Sequence, residues 1–284
     1  MKSYKLQNQI SLVLSYIVLT ILAVIWLFPV LWIILASFSQ STTGFVQTFI
    51  PQHWTLANYT GIFNNPLYPY GNWLINTFLI AVFSTIISTI FVLVVSFSLS
   101  RLHFKMKKTY MQLALILGMF PGLMSMVSLY YIMKAFNMLN LVGLLLIYVG
   151  GAGLGFYIFK GFLDTIPISI DEAAIIDGAT KWQLFIHITL PLSKPIIVYT
   201  ALMAFIGPWL DFLLPMILLG TGSPKGWTVA YGLQNMMTNA RGAAGGYFPQ
   251  FVAGCIIVSV PITILFIIMQ RFYVNGITAG ADKG

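Results

Sequence analysis

Acidic side chains and cysteine are what this sequence has least of. Its 284 residues include six Asp and Glu and one cysteine, and charged residues of both signs together make up 7%. A soluble domain carries about 25% charged residues. A chain that is 59% hydrophobic cannot cover itself with polar groups in water, so its solvent must largely be lipid. Cys255 stands alone inside an apolar run, which excludes a disulfide framework within the chain and any cysteine-based metal site. His53, His103 and His187 are far apart and lack metal-site spacing, so no metal is expected. A nucleotide loop is missing too. The run from Gly150 to Gly155 follows no strand and lacks the lysine and Ser/Thr of a phosphate-binding loop. Gly151 and Gly155 instead have GxxxG spacing, which reads as helix packing. No cofactor bound by the chain and no ATP hydrolysis of its own are expected.

What the sequence does have is long apolar runs. A helix crossing the hydrocarbon needs about 20 mostly apolar residues. Six stretches qualify, at about 12–37, 74–99, 109–133, 141–160, 195–219 and 251–270. The first has an apolar run of about 26 residues, against about 7–15 for a signal-peptide core, so it reads as a retained span. Pro29, Pro121, Pro208, Pro215 and Pro261 fall inside spans. They fit either kinked helices around a pathway or ordinary packing irregularity. The fold class is all-α integral membrane, one six-helix transmembrane domain over 1–284.

Lysine and arginine orient the spans. With a cytoplasmic N-terminus, 11 of the 14 basic residues fall inside and three, Lys134, Lys225 and Arg241, fall outside. Both termini are therefore expected in the cytoplasm, in a multi-pass protein of the cell membrane. The net charge of +8 is explained by this topology and calls for no nucleic acid. Two outside loops are long. Residues 38–73 hold no Asp, Glu, Lys or Arg but many polar and aromatic side chains, and residues 220–250 are rich in glycine and amides. Trp54, Trp73 and Trp227 read as possible interface anchors, Trp73 above the others.

The longest segment that looks soluble lies between the fourth and fifth spans, on the inside. Ser169-Ile170-Asp171-Glu172 and Thr180-Lys181-Trp182-Gln183 both fit the capping box. Two short helices are expected, broken at Gly178 by positive φ or close backbone approach. Ala173 and Ala174 leave a smooth surface, and Trp182 and Phe185 offer apolar anchors of the kind found at interfaces. An amphipathic loop lying on the membrane would explain the apolar residues, but not the combination of caps, alanines and glycine.

Glu172-Ala173-Ala174, Asp177-Gly178-Ala179, Ile188 and Leu190-Pro191 resemble the EAA signature of binding-protein-dependent ABC import permeases. Gly161-Phe162 with Ile166-Pro167 looks like the same family. So does Trp209-Leu210-Asp211-Phe212 with Pro215, where relatives usually carry Asn-Glu in place of Leu210-Asp211. The tail from Gly276 to Gly284 is similar to that of the smaller permease subunit of maltose/maltodextrin-type importers. The resemblance implies that Glu172, Ala173, Ala174, Asp177, Gly178, Ala179 and Pro191, within a loop at 161–194, couple the bundle to an ATP-binding subunit dimer. It further implies that the tail at 271–284, through Gly276, Thr278, Gly280 and Gly284, reaches the interface of that dimer. A homologous second permease would complete the pathway, and an extracytoplasmic sugar-binding protein would dock outside, with Tyr231, Gln234 and Asn235 as contacts. ATP would be used by the partner alone. The implied cargo is maltose or maltodextrin; another oligosaccharide or glycerol 3-phosphate is the alternative.

Asp211 is the only acid placed within a span. Such a charge is a functional candidate, lining the pathway or pairing with a partner, unless it bonds locally to backbone freed by Pro208 or Pro215. A stand-alone secondary transporter or channel would favour internal repeats and midplane acids. A membrane enzyme would need clustered nucleophiles, bases or metal ligands. Neither pattern is present.

Overall fold

The computed structural model describes residues 2–40, 46, 48–238 and 247–278. Among them there is no β-strand, only an isolated bridge between Ser39 and Trp54. Four helices are long and apolar enough to cross a membrane, and six spans result if each of two bent pairs counts as one. The chain is a multi-pass, all-α membrane protein. It divides into two compact units, Met1–Tyr68 with Asn235–Ile257 and Pro69–Gln234 with Val258–Gly284.

In the first unit α1 runs over Lys2–Ser37. Its apolar side chains are exposed nearly all round, Trp26 at 76%, which is stable only if lipid surrounds it. Its end is pinned. Asn58, in α2 (Ala57–Phe63), donates to the Ser37 and Ser39 carbonyls at 2.8 and 2.9 Å, and the Ser37 hydroxyl meets the Tyr59 hydroxyl at 2.7 Å. Asn65 donates to Gln250 at 3.0 Å. Residues 58–65 are thus tied to their own unit.

The second unit is built around α3, Tyr70–Arg101. Thr77, Ala81, Ser84, Ser88, Val92 and Ser96 are buried, while Phe78, Phe83, Ile87, Ile90, Phe91 and Val94 are exposed. The buried stripe recurs every three or four residues, as one face of a helix must. Much of it is small or hydroxyl-bearing, with Trp73, Ile80, Leu93 and Phe97 buried as well, and large apolar side chains fill the exposed side. This is the arrangement lipid selects, since small residues let helices approach and bulky ones face the acyl chains.

α4 (Lys107–Gly118) and α5 (Gly122–Ala135) replace the single span expected at 109–133; they bend by 102° at Pro121, which has no amide for the helical ladder and starts α5 afresh. α6 (Leu141–Gly151) is capped by Asn140, passes through a 3₁₀ segment at Ala152–Gly155 and continues as α7 (Phe156–Thr165). α8 (Ile168–Ile176) follows. Next come α9 (Lys181–Gln183), a π-helical Leu184–Thr189 and α10 (Leu190–Leu192). α11 (Lys194–Leu210) leaves that segment at 80°. The expected span at 195–219 is broken at Asp211, beyond which lies α12 (Leu213–Leu219). Pro215 falls in the first turn of α12, where its missing amide costs nothing. α13 covers Val229–Thr238, and α14, Phe248–Thr278, runs from the first unit into the second.

Two expectations are corrected. Trp73 is fully buried and its indole donates to the Pro224 carbonyl at 2.8 Å, so it is core rather than an interface anchor. The glycine run does not pack tightly within the chain: a Cβ on Gly150 or Gly151 would meet nothing within 4 Å, and one on Gly155 only Val92 at 3.9 Å. Close approach occurs at Gly232 instead, where a Cβ would lie 2.3 Å from the Trp73 ring. Gly232→Ala is expected to destabilise the fold by about 1–3 kcal/mol. A thermal scan in detergent checks this; an unchanged midpoint would show that α13 shifts freely.

Candidate functional site

Pro167 starts α8, with φ −55° and ψ 131°, and the helix begins at Ile168. Ser169 therefore lies inside the first turn, and no side chain caps this end. The capping box expected at Ser169–Glu172 does not form, because Pro167 sets the start of the helix ahead of the serine. Glu172 is exposed, as are Ala173, Asp177 and Gly178, with Ala174 and Ala179 half-buried.

The other end of α8 closes as the sequence suggests. Gly178 has φ +87°. Its amide donates to the Ile175 carbonyl at 3.0 Å, and the Ala179 amide donates to the Ala174 carbonyl at 2.9 Å. These are the two bonds of a Schellman motif with glycine in the left-handed position. The second capping box is present: the Gln183 amide donates to the Thr180 hydroxyl at 3.3 Å, and the Thr180 amide to the Gln183 side chain at 2.8 Å. The two helices are thus fixed by local bonds on either side of one bend.

Their exposed surface carries large apolar side chains among the charged ones. Ile168, Ile176 and Trp182 are 62%, 86% and 66% exposed. Phe185, expected as a surface anchor, is buried: it meets Phe97 of α3 at 5.0 Å and joins a core with Val92, Leu93, Phe159 and Leu163. The π-helical turn carries it inward. Pro191 is exposed.

A polar network that the sequence reading missed holds this segment to the end of α3. Arg101 Nε lies 2.6 Å from Asp171 Oδ2 as an ion contact, not an aligned hydrogen bond. Arg101 Nη2 donates to the Ile166 carbonyl at 3.1 Å. The Ser100 hydroxyl donates to Asp164 at 2.7 Å, and Lys160 pairs with the same carboxylate. Four of the six acids fall between 164 and 177, and among these Asp171 alone is buried.

Asp211 sits at the α11–α12 break. Its Oδ2 accepts from the Tyr148 hydroxyl at 3.0 Å and its Oδ1 from the Leu214 amide at 3.2 Å. Both bonds are within the chain, and the second satisfies a backbone amide freed by the break. Tyr148 also borders a cavity of about 290 Å³ between α3, α6–α7 and α11, lined by Ser84, Ser88, Tyr199, Thr200 and apolar residues, with no charged side chain.

Of the residues expected to meet a binding protein, Tyr231 is buried against Trp227, ring centroids 4.5 Å apart, so its side chain offers no surface for a partner. Burial also raises its pKa. Gln234 and Asn235 are half-buried on α13. Gly276 and Thr278 belong to the last turns of α14; Gly280 and Gly284 lie outside the described residues.

Residues 78–278 match the family described as binding-protein-dependent transport system inner membrane component. The chain belongs to that family. Among relatives, the galactooligosaccharides transport system permease protein GanQ of Bacillus subtilis is 35% identical over 283 residues, 99% of this chain and 98% of that one. The maltodextrin transport system permease protein MalD of Streptococcus pneumoniae is 33% identical over 284 residues, 99% of each. A bacterial ABC transporter involved in import of the acidic polysaccharide alginate has the same fold, with TM-score 0.77, 21% identity and 94% and 98% of the two chains covered.

The matched region takes in α8, its Schellman end and the Asp211 break, and leaves out α1 and α2. In this permease the bend at Gly178 is set by backbone conformation alone, because a Cβ there would meet nothing within 4 Å. Gly178→Ala should therefore cost only the left-handed φ, about 1–2 kcal/mol. The expected result is faster hydrogen exchange at residues 177–179 with the rest of the bundle unchanged. Wild-type exchange there would contradict a strained bend.

Proposed function

We propose that this chain is one of two permease subunits of an ATP-driven importer for an uncharged oligosaccharide, of the maltodextrin or galactooligosaccharide class. The observation that carries the reading is the set of exposed apolar side chains on the α8–α9 pair, Ile168 and Ile176 of α8 and Trp182 of α9, held in fixed geometry by the Gly178 bend and the Thr180–Gln183 box. A short helical pair of this kind suits insertion into a cleft on a separate ATP-binding subunit. Glu172, Ala173, Ala174, Asp177, Gly178, Ala179 and Pro191 lie along this exposed loop. Hydrolysis belongs to that partner dimer, and the tail from Gly276 to Gly284 would reach it.

The cargo class rests on the named relatives and is supported by a cavity lined with hydroxyl and apolar groups but no cation. Maltodextrin stays our specific assignment. The distribution of basic residues supports one transmembrane domain with both termini in the cytoplasm and the 220–250 loop facing an extracytoplasmic binding protein.

Gentle purification of the chain from its native membrane should recover an ATP-binding subunit and a second permease. Their ATP hydrolysis should be stimulated by a binding protein loaded with maltodextrin, and less by one offered an acidic polysaccharide. A chain that purifies alone, without ATPase, would favour a stand-alone transporter. Within the assembled importer, Ala173→Phe or Gly178→Pro should abolish sugar uptake while membrane insertion is kept. Normal uptake with either change would remove α8 from the coupling path.

A further inference from the structure

α3 is anchored at both ends to functional segments. Near its start, three residues within five positions hold one loop. The Trp73 indole donates to the Pro224 carbonyl at 2.8 Å, and the Asn76 amide to the Lys225 and Trp227 carbonyls at 2.8 and 2.9 Å. The Thr77 hydroxyl accepts from the Val229 amide at 2.8 Å. This loop begins the segment assigned to the binding-protein side. At the far end, one guanidinium holds two points: Asp171 in the first turn of α8 and the Ile166 carbonyl that closes α7. Between Asn72 and Arg101 there is no glycine or proline. At 1.5 Å per residue the 32-residue helix is about 48 Å long.

The choice of residues at the inner end is informative. Arg101 and Asp171 side chains are 9% and 10% exposed. Burying an ion pair is a poor way to gain stability, because an apolar pair of similar volume does as well or better. What a guanidinium supplies is geometry: its donors project in a fixed fork, and here the fork spans the α7–α8 turn. Asp171 is the residue just before the exposed Glu172 and Ala173, so fixing its carboxylate fixes the angle at which that face is presented.

We propose that Arg101 is a positioning residue that registers the coupling helix to α3, making α3 a single strut between the outer loop at 224–229 and α8. Movement of the outer loop then reaches the ATPase-facing helix through one rigid element. The proposal rests on the reading of α8 as the ATPase-coupling element.

The test compares wild type, Arg101→Met and the double variant Arg101→Met/Asp171→Leu in the assembled transporter in lipid nanodiscs. Hydrogen exchange of residues 168–176, thermal stability and the ratio of binding-protein-stimulated to basal ATP hydrolysis are measured. Arg101→Met should speed exchange in α8 about tenfold or more and remove the stimulation. The double variant buries no unpaired charge, so its stability should return towards wild type while stimulation stays lost. Stimulation that returns together with stability would overturn the positioning role and leave the importer reading standing. Unchanged α8 exchange in Arg101→Met would overturn the clamp whatever the chain transports. A wild-type complex without stimulated hydrolysis would overturn the importer reading and the coupling role with it, while the exchange comparison still decides the clamp.

Discussion

In hydrocarbon there is no water to satisfy a backbone amide or carbonyl, and every irregularity in this chain answers to that constraint. Where nothing interrupts the ladder, as in α3, the helix runs 32 residues. Where the ladder breaks, a side chain takes over. At the α11–α12 break Asp211 accepts from the Leu214 amide and is itself held by Tyr148. At the α6 start Asn140 accepts from Val142 and Gly143. Pro215 sits where its lost donor had no partner to lose. A span carrying an acid is therefore no anomaly here, because the carboxylate does the work that water would do at a soluble helix end.

The segment from α8 to α10 follows different rules. It is irregular, short-helical and bent, and its bonds are mainly local: a Schellman end, a capping box and a π-helical turn. Local bonds alone would leave it free to pivot on the bundle. Two longer attachments prevent this, the Phe185 ring inserted beside Phe97 and the Arg101 guanidinium reaching Asp171. The segment is thus stiff within itself and attached to one helix in particular.

The parts legible in the sequence are those whose cause lies within a few residues. Hydropathy runs place the helices, and Thr180 with Gln183 announces its own box. Gly178 fits its left-handed φ because few other residues would. The Ser169 box failed because Pro167, two residues earlier, set the helix start first. Trp73 and Phe185 were read as surface because, in a chain apolar on every face, hydrophobicity does not separate a core position from a lipid-facing or docking one. The break at Pro121 was read as a kink inside one span, since a proline alone does not say whether the helix bends or stops. The Arg101–Asp171 pair, 70 residues apart, depends on how α3 lies against α7 and α8, and no spacing rule reaches that far.

The π-helical turn at Leu184–Thr189 has a bearing on which sequences this segment can tolerate. Such a turn holds one more residue than an α-helical turn would. On an α-helix one residue is worth about 100° of rotation. Phe185, the second residue of this turn, is buried beside Phe97, while Trp182, in the α-helical turn before it, is exposed and meets the Phe185 ring at 5.6 Å. The segment is therefore sensitive to length rather than to composition. Conservative exchanges of Leu184, Ile186 or Ile188 leave its phase intact, whereas a single deletion there would rotate α10 and α11 relative to α9 without altering any residue of α8.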